Sequence, residues 1–277
     1  MKIAVLSGKG GTGKTFVSVN LASAAKEAFY ADCDIEEPNG HLFFKPENIK
    51  KEDISVKIPH IDQEECDGCR ECCSFCAYNA LAFVGGKVLL FDNLCHSCGG
   101  CKILCHNQAI SEKDKRIGIV ETGKSENVTV VTGHLNIGEA SGIPIIKNII
   151  SKLPKETFSV IDCPPGSACT VMESIQKADY CLLVAEPTLF GLHNMEMVFD
   201  LIKIFKKPYG VVINKYLFKN NPVKDFCLKN NIKILDEIAY DIKLGKFNSD
   251  GNIVVRNDSV YASRFEKLLN EIKGRVQ

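Results

Sequence analysis

Gly8-Lys9-Gly10-Gly11-Thr12-Gly13-Lys14-Thr15 is the stretch that decides the architecture of this chain. It fits G-x-x-x-x-G-K-[ST], a pattern whose glycines let backbone N–H groups turn inward around phosphate oxygens. The apolar run Lys2–Leu6 precedes it and a helical pattern over 14–26 follows, so the loop joins a strand to a helix. The helix N-terminus adds positive potential at the same place. Lys14 is expected to reach the β- and γ-phosphates, and the Thr15 hydroxyl to ligate Mg²⁺. A chance glycine-rich turn would lack this strand-before, helix-after context.

Outward from the loop, strand-like runs at 128–132, 158–161, 180–185 and 209–213 alternate with helical patterns at 192–205 and 259–272. Alternation of this kind implies βαβ units and a parallel sheet covered on both faces. Asp32-Cys33-Asp34 follows a short strand at 29–31, and Asp162 ends the run 158–161 before Cys163-Pro164-Pro165-Gly166. One aspartate at a strand end is usually a turn or cap. Three at the edge that carries a phosphate loop instead predict Mg²⁺ partners, with Asp32 and Asp162 holding the ion. The Gly166 N–H is free to turn toward a γ-phosphate.

The 14 cysteines are the compositional anomaly. Eight form two runs, Cys66, Cys69, Cys72, Cys76 and Cys95, Cys98, Cys101, Cys105, each reading C-x2-C-x2-C-x3-C and offset by 29 residues. That is a duplicated half-module. The run is the bacterial ferredoxin pattern, in which the fourth cysteine serves the other cluster. One [4Fe–4S] cluster is therefore expected on Cys66, Cys69, Cys72 and Cys105, and the second on Cys95, Cys98, Cys101 and Cys76. Zinc, which favours paired C-x2-C sites, is the competing reading. Ala77 and His106 stand where proline usually follows each fourth cysteine. His106 is read as solvated, or as a donor to cluster sulfur. Cys73, Cys163 and Cys181 are read as spectators, and Cys169 as a buried small residue or a ligand between subunits.

Length and charge bound the rest. The 277 residues suggest two domains, with 57–119 inserted between 1–56 and 120–277. An apolar fraction of 45% argues against disorder. With 34 basic and 34 acidic side chains, no net field draws the chain to nucleic acid. No run reaches the roughly 18 apolar residues of a membrane span, and the N-terminus reads as a strand rather than a signal peptide. A reducing, cytoplasmic setting is expected, with thiols rather than disulfides.

At this point the residues carry a family likeness. Lys9, placed ahead of the glycines, makes the loop similar to the deviant Walker A motif of MinD/ParA ATPases. That class includes the nitrogenase iron protein and Mrp-type iron–sulfur carriers. The likeness extends through Asp32-Cys33-Asp34-Ile35-Glu36-Glu37-Pro38-Asn39, Asp162-Cys163-Pro164-Pro165-Gly166, Glu186-Pro187-Thr188 and Ile213-Asn214-Lys215. It implies an α/β P-loop NTPase, with a mostly parallel sheet flanked by helices and an inserted α+β two-cluster ferredoxin domain. It implies ATP hydrolysis, with ATP and Mg²⁺ bound through Gly8–Thr15, Gly166 and Asn214-Lys215. It further implies that Lys9 crosses a nucleotide-dependent homodimer, or a heterodimer with a related ATPase, to the partner's phosphates. The likeness implies, too, that Asp34 orients the attacking water and that Asn214 recognises adenine. Guanine-specific relatives carry Asp where Leu217 stands, which favours ATP.

Three functions suit this set. In the first, nucleotide state governs electron transfer through the clusters to a redox partner protein. The second is a carrier or assembly factor for iron–sulfur or other metal cofactors, although no Mrp-like C-x-x-C follows Cys227. The third is a redox-sensing positioning switch. MinD binds membrane through a basic amphipathic tail, but Glu266 and Glu271 dilute the basic face here, so Phe265, Leu268, Leu269 and Ile272 are expected to dock on the sheet. His134 and Glu139 are read as loop and cap residues.

Overall fold

The computed structural model describes residues 1–217 and 221–276. In chain order the elements are β1 (Lys2–Leu6), α1 (Lys14–Ser23), β2 (Ala28–Asp32), α2 (Gly40–Phe44), β3 (Glu47–Ile61), α3 (Glu71–Phe75), β4 (Leu81–Val84) and β5 (Lys87–Leu90). Next come α4 (Gly100–Leu104), β6 (Ile110–Ser125), β7 (Val128–Leu135), α5 (Ile143–Ser151), β8 (Ser159–Asp162), α6 (Cys169–Ile175) and β9 (Tyr180–Ala185). The chain continues through α7 (Leu189–Ile204), β10 (Tyr209–Tyr216), α8 (Pro222–Lys229), β11 (Ile234–Ala239), α9 (Ile242–Ser249) and α10 (Ser259–Val276). It divides into two compact units. The first holds Met1–Lys51, Val120–His134 and the chain from Ile146 onward; the second holds Glu52–Ile119 and Leu135–Ile145.

The nine-stranded sheet runs β11-β10-β9-β1-β8-β2-β7-β6-β3. Pairing is parallel from β11 to β7, so the strands deliver their C-terminal ends to one edge. Central strands β1, β8 and β9 are buried almost throughout, as continuous apolar runs covered on both faces require. Strand β3 is different. It ends the sheet order, and Glu47, Lys50, Lys51 and Glu52 load it with charge, a composition that blunts a sheet edge. That charge also hides β3 and β6 from an apolar-periodicity reading.

Helix α10 docks as its spacing predicts: Phe265, Leu268, Leu269 and Ile272 enter the main core. Phe265 meets Phe16 edge-on with centroids 6.0 Å apart. Helix α1 is shorter than the predicted 14–26. The Asn127 amide donates to the Ala25 and Lys26 carbonyls, which draws the chain out of the helix toward β2. His134 lies within β7, not in a loop, and its Nε2 is 3.5 Å from Glu121. Glu139 forms an ion pair with Lys115 at 2.8 Å instead of capping a helix.

In the second unit the sequence repeat recurs in the backbone. Left-handed residues occur at Gly68, Arg70 and Asn79, and again 29 residues later at Ser97, Gly99 and Gln108. Helices α3 and α4 share the same offset. Asp62 N–H donates to the Ala109 carbonyl, and 29 residues on Phe91 N–H donates to the Ala80 carbonyl, both at 2.8 Å. The beginning of each half therefore pairs with the end of the other.

Candidate functional site

Register builds the first unit's site. Asp162 lies opposite Val5 on one side and opposite Asp32 on the other, at the strand ends beside the glycine loop. Gly13 has φ +91, and a Cβ there would come 2.1 Å from the Asn214 amide nitrogen. A Cβ on Gly8 would come 2.1 Å from the Asn194 carbonyl oxygen. These two glycines are required for close approach. At Gly10 and Gly11 a Cβ would meet nothing within 4 Å among the described residues. Thr12 Oγ1 is buried with no hydrogen-bond partner among the described residues. An orphaned donor at the rim of a glycine cradle is what a phosphate oxygen would satisfy. The adjoining cavity of about 860 Å³ extends past Asp34, Pro164 and Asn214 to Tyr240, Leu244 and Asn248. That is room for a nucleotide.

Lys14 Nζ donates to Asp162 Oδ1 at 2.6 Å and lies 3.6 Å from Asp34. Asp162 also accepts from Ser18 Oγ at 3.0 Å and Tyr30 OH at 2.8 Å. Asp32, fully buried, accepts the Asp34 N–H at 3.2 Å and the Gly40 N–H at 2.9 Å. Burial and then the nearby Asp162 push the Asp32 carboxyl up to about 8, against Lys14 and the Gly40 N–H. Burial also raises Asp34. For Lys14 burial pulls the other way, but Asp162 and Asp34 outweigh it and hold the ammonium charged. A crowded acid set around one cation suits a divalent ion's arrival.

Asn214 Nδ2 donates to the Thr12 carbonyl at 2.8 Å, bracing the loop. Gly166, at φ +88, donates its N–H to the Ser7 carbonyl at 2.9 Å. Thr15 lines the cavity. Lys9 pairs with Glu186 of its own chain at 2.5 Å, and Lys215 reaches Glu186 and the Gly11 carbonyl, each at 2.6 Å. Burial would raise the Glu186 carboxyl, but Lys215 and Lys9 hold it below the usual range. Sequence reasoning assigned no role to Glu186, Tyr30 or Ser18. Only Glu186 carried a signal, its place at the end of a strand on the loop's edge.

In the second unit, one cavity is lined by Cys66, Cys69, Cys72 and Cys105, together with Asp67 and His106. All fourteen cysteines are free thiols. Cys76 Sγ accepts the Ala80 N–H at 3.4 Å and Cys95 Sγ the Ser97 N–H at 3.5 Å, so the left-handed loops aim backbone donors at sulfur. Tyr78, two residues after Cys76, and His96, next to Cys95, stack with ring centroids 3.6 Å apart. Burial raises the Cys101 thiol, with Cys95 and Cys98 near enough to add to the shift. A thiol donor set in which Cys105 joins Cys66, Cys69 and Cys72 fits iron–sulfur ligation. His106 is exposed and bonded to Asp67 at 3.0 Å. Cys169, read as either a buried small residue or a ligand between subunits, is exposed at the start of α6, which removes the buried reading. Cys163 and Cys181 are buried, as packing residues should be.

Residues 3–254 match the CobQ/CobB/MinD/ParA nucleotide binding domain. An uncharacterized protein of Methanocaldococcus jannaschii is 30% identical over 84% of this chain and 85% of its own. An iron-sulfur cluster carrier protein of Pyrococcus horikoshii is 25% identical over 98% of this chain and 86% of its own. Among solved structures, the cell division ATPase MinD of Pyrococcus furiosus superposes with a TM-score of 0.62 at 20% identity, covering 99% of this chain and 98% of that one.

Proposed function

The chain belongs to the CobQ/CobB/MinD/ParA nucleotide-binding family and is a P-loop ATPase, and from that premise we propose that its nucleotide state governs electron transfer through two [4Fe–4S] clusters held by the cysteine unit. The observation that carries the second half is the convergence of Cys66, Cys69, Cys72 and Cys105, three from one half of the duplication and one from the other, on a single cavity. When bound, the clusters supply one-electron transfer. Residues of the chain do the rest. The Gly8–Thr15 backbone and Lys14 bind and orient the triphosphate. Thr15, Asp32 and Asp162 hold Mg²⁺, and Asp34 orients water for in-line attack. Asn214 recognises adenine and braces the loop at the Thr12 carbonyl, and Lys215 braces it at the Gly11 carbonyl. Lys9 completes the site of a second copy, for which it must leave Glu186.

A second reading is an ATP-dependent carrier that hands its clusters on. The Pyrococcus relatives named iron-sulfur cluster carrier proteins favour it. Potentiometric EPR on anaerobically purified protein, with and without MgATP, separates the two. Electron transfer expects potentials that move with nucleotide and clusters retained in the presence of apo-acceptor proteins. Nucleotide-independent potentials with transfer to an apo-acceptor would establish the carrier instead.

A further inference from the structure

Asp162 accepts from three side chains, and one of them comes from outside the phosphate loop and the helix that follows it. Lys14 and Ser18, both on α1, go to Oδ1, whereas Tyr30 on β2 takes Oδ2. Tyr30 stands two residues before Asp32, so the period of a strand puts its ring on the same face as the Asp32 carboxyl. It is 0% exposed. A central parallel strand is ordinarily filled there by Val, Ile or Leu. A buried phenol costs free energy unless its hydroxyl is bonded, and Asp162 supplies that bond. The ring itself is wedged. Phe44 lies 4.9 Å away between centroids, and a Cβ on Gly40 would come 2.3 Å from a ring carbon. Gly40, in turn, donates its N–H to Asp32. Tyr30 thus touches the end of the segment that carries Asp34 as well as the carboxylate on the neighbouring strand.

We infer that Tyr30 is a positioning residue for Mg²⁺. Its hydroxyl fixes the orientation of Asp162, and its ring links that orientation to the placement of Gly40 at the end of the Asp32–Asn39 segment. The inference rests on the reading of Asp162 as a magnesium-holding residue, and its test separates the two.

Binding of a fluorescent ATP analogue is titrated against MgCl₂, and separately measured in EDTA. Tyr30→Phe keeps the ring and deletes the hydroxyl. It is expected to need about tenfold more Mg²⁺ for half-maximal tight binding, the scale of one lost hydrogen bond to a charged group, while affinity in EDTA stays within about twofold. Gly40→Ala, which pushes on the ring and leaves the hydroxyl intact, should show the same split, and it serves as the test if Tyr30→Phe does not fold. Asp162→Asn is the reference. If it shifts the Mg²⁺ requirement and Tyr30→Phe does not, the inference about Tyr30 is wrong while the magnesium reading stands. If Asp162→Asn leaves the requirement unchanged, both fall. A Tyr30→Phe variant that loses affinity equally with and without Mg²⁺ also overturns the inference, since that pattern reports general damage to the site.

Discussion

Lys14 is the residue on which the first unit's electrostatics turn. Its ammonium is buried between Asp162 and Asp34, with Asp32 close enough to matter. Lys14→Ala is therefore expected to do two things at once. It removes nearly all phosphate release, because charge compensation at the transferring group is lost. It also leaves buried carboxylates unpaired, which costs about 3–5 kcal/mol in a denaturant titration without Mg²⁺. Unchanged stability would show that the acids are already neutralised without the lysine. Glu186 makes a prediction with the opposite pH behaviour from a buried unpaired acid. Its folded-state pKa is depressed below the ordinary 4.5, so its contribution is present above that value and is lost as pH falls through the folded pKa. The stability difference between the native protein and Glu186→Gln should thus be evident at neutral pH and vanish in acid. A difference that persists in strong acid would mean that the carboxylate's charge is not what Lys9 and Lys215 are held by.

At the scale of elements, α10 and the cysteine halves carry the most. Helix α10 spends its apolar stripe on the main core, and Arg264 anchors it to Asp236 with bonds of 2.6 and 2.7 Å. Leu269→Ala should cost about 2–5 kcal/mol of unfolding free energy, as buried leucine truncations do, read from the denaturant midpoint. A loss below about 0.5 kcal/mol would mean that the helix is not docked in solution. In the second unit the start of each half pairs with the end of the other, and the proposed ligand sets cross in the same way. Cys76→Ser should then disturb the cluster of Cys95, Cys98 and Cys101, leaving that of Cys66, Cys69 and Cys72 spectroscopically intact. Loss of the latter signal would refute the crossed assignment.

The whole molecule adds a question of copies. Within one chain Lys9 is paired with Glu186, while Lys14 already provides the lysine that the loop requires. If Lys9 serves a partner's nucleotide, neither Lys9→Ala nor Lys14→Ala hydrolyses ATP alone. An equal mixture then regains about a quarter of native activity, since half the dimers are mixed and each has one complete site. No recovery at dimer-forming concentration would return Lys9 to its own chain. Holoprotein purified without oxygen should carry about eight iron and eight sulfide per chain. Stoichiometric zinc, or four iron or fewer after full reconstitution, would remove the two-cluster reading.

The amino-acid sequence by itself determined the strand–loop–helix setting of Gly8–Thr15, the alternation of apolar strands with helices on either side of the cysteine block, and the duplication of the cysteine runs. Each of these is local. A phosphate nest is made by consecutive backbone N–H groups, and a repeat is visible at any distance. The composition of β3 concealed that strand, because a charged edge strand has no apolar period to read. Tertiary structure alone decided that Tyr30 reaches Asp162 across 132 residues and that Glu186 gathers Lys9 across 177. Such contacts follow from which strands become neighbours and in what register. Local spacing does not contain that information, because sheet order is settled by packing among segments far apart in the chain.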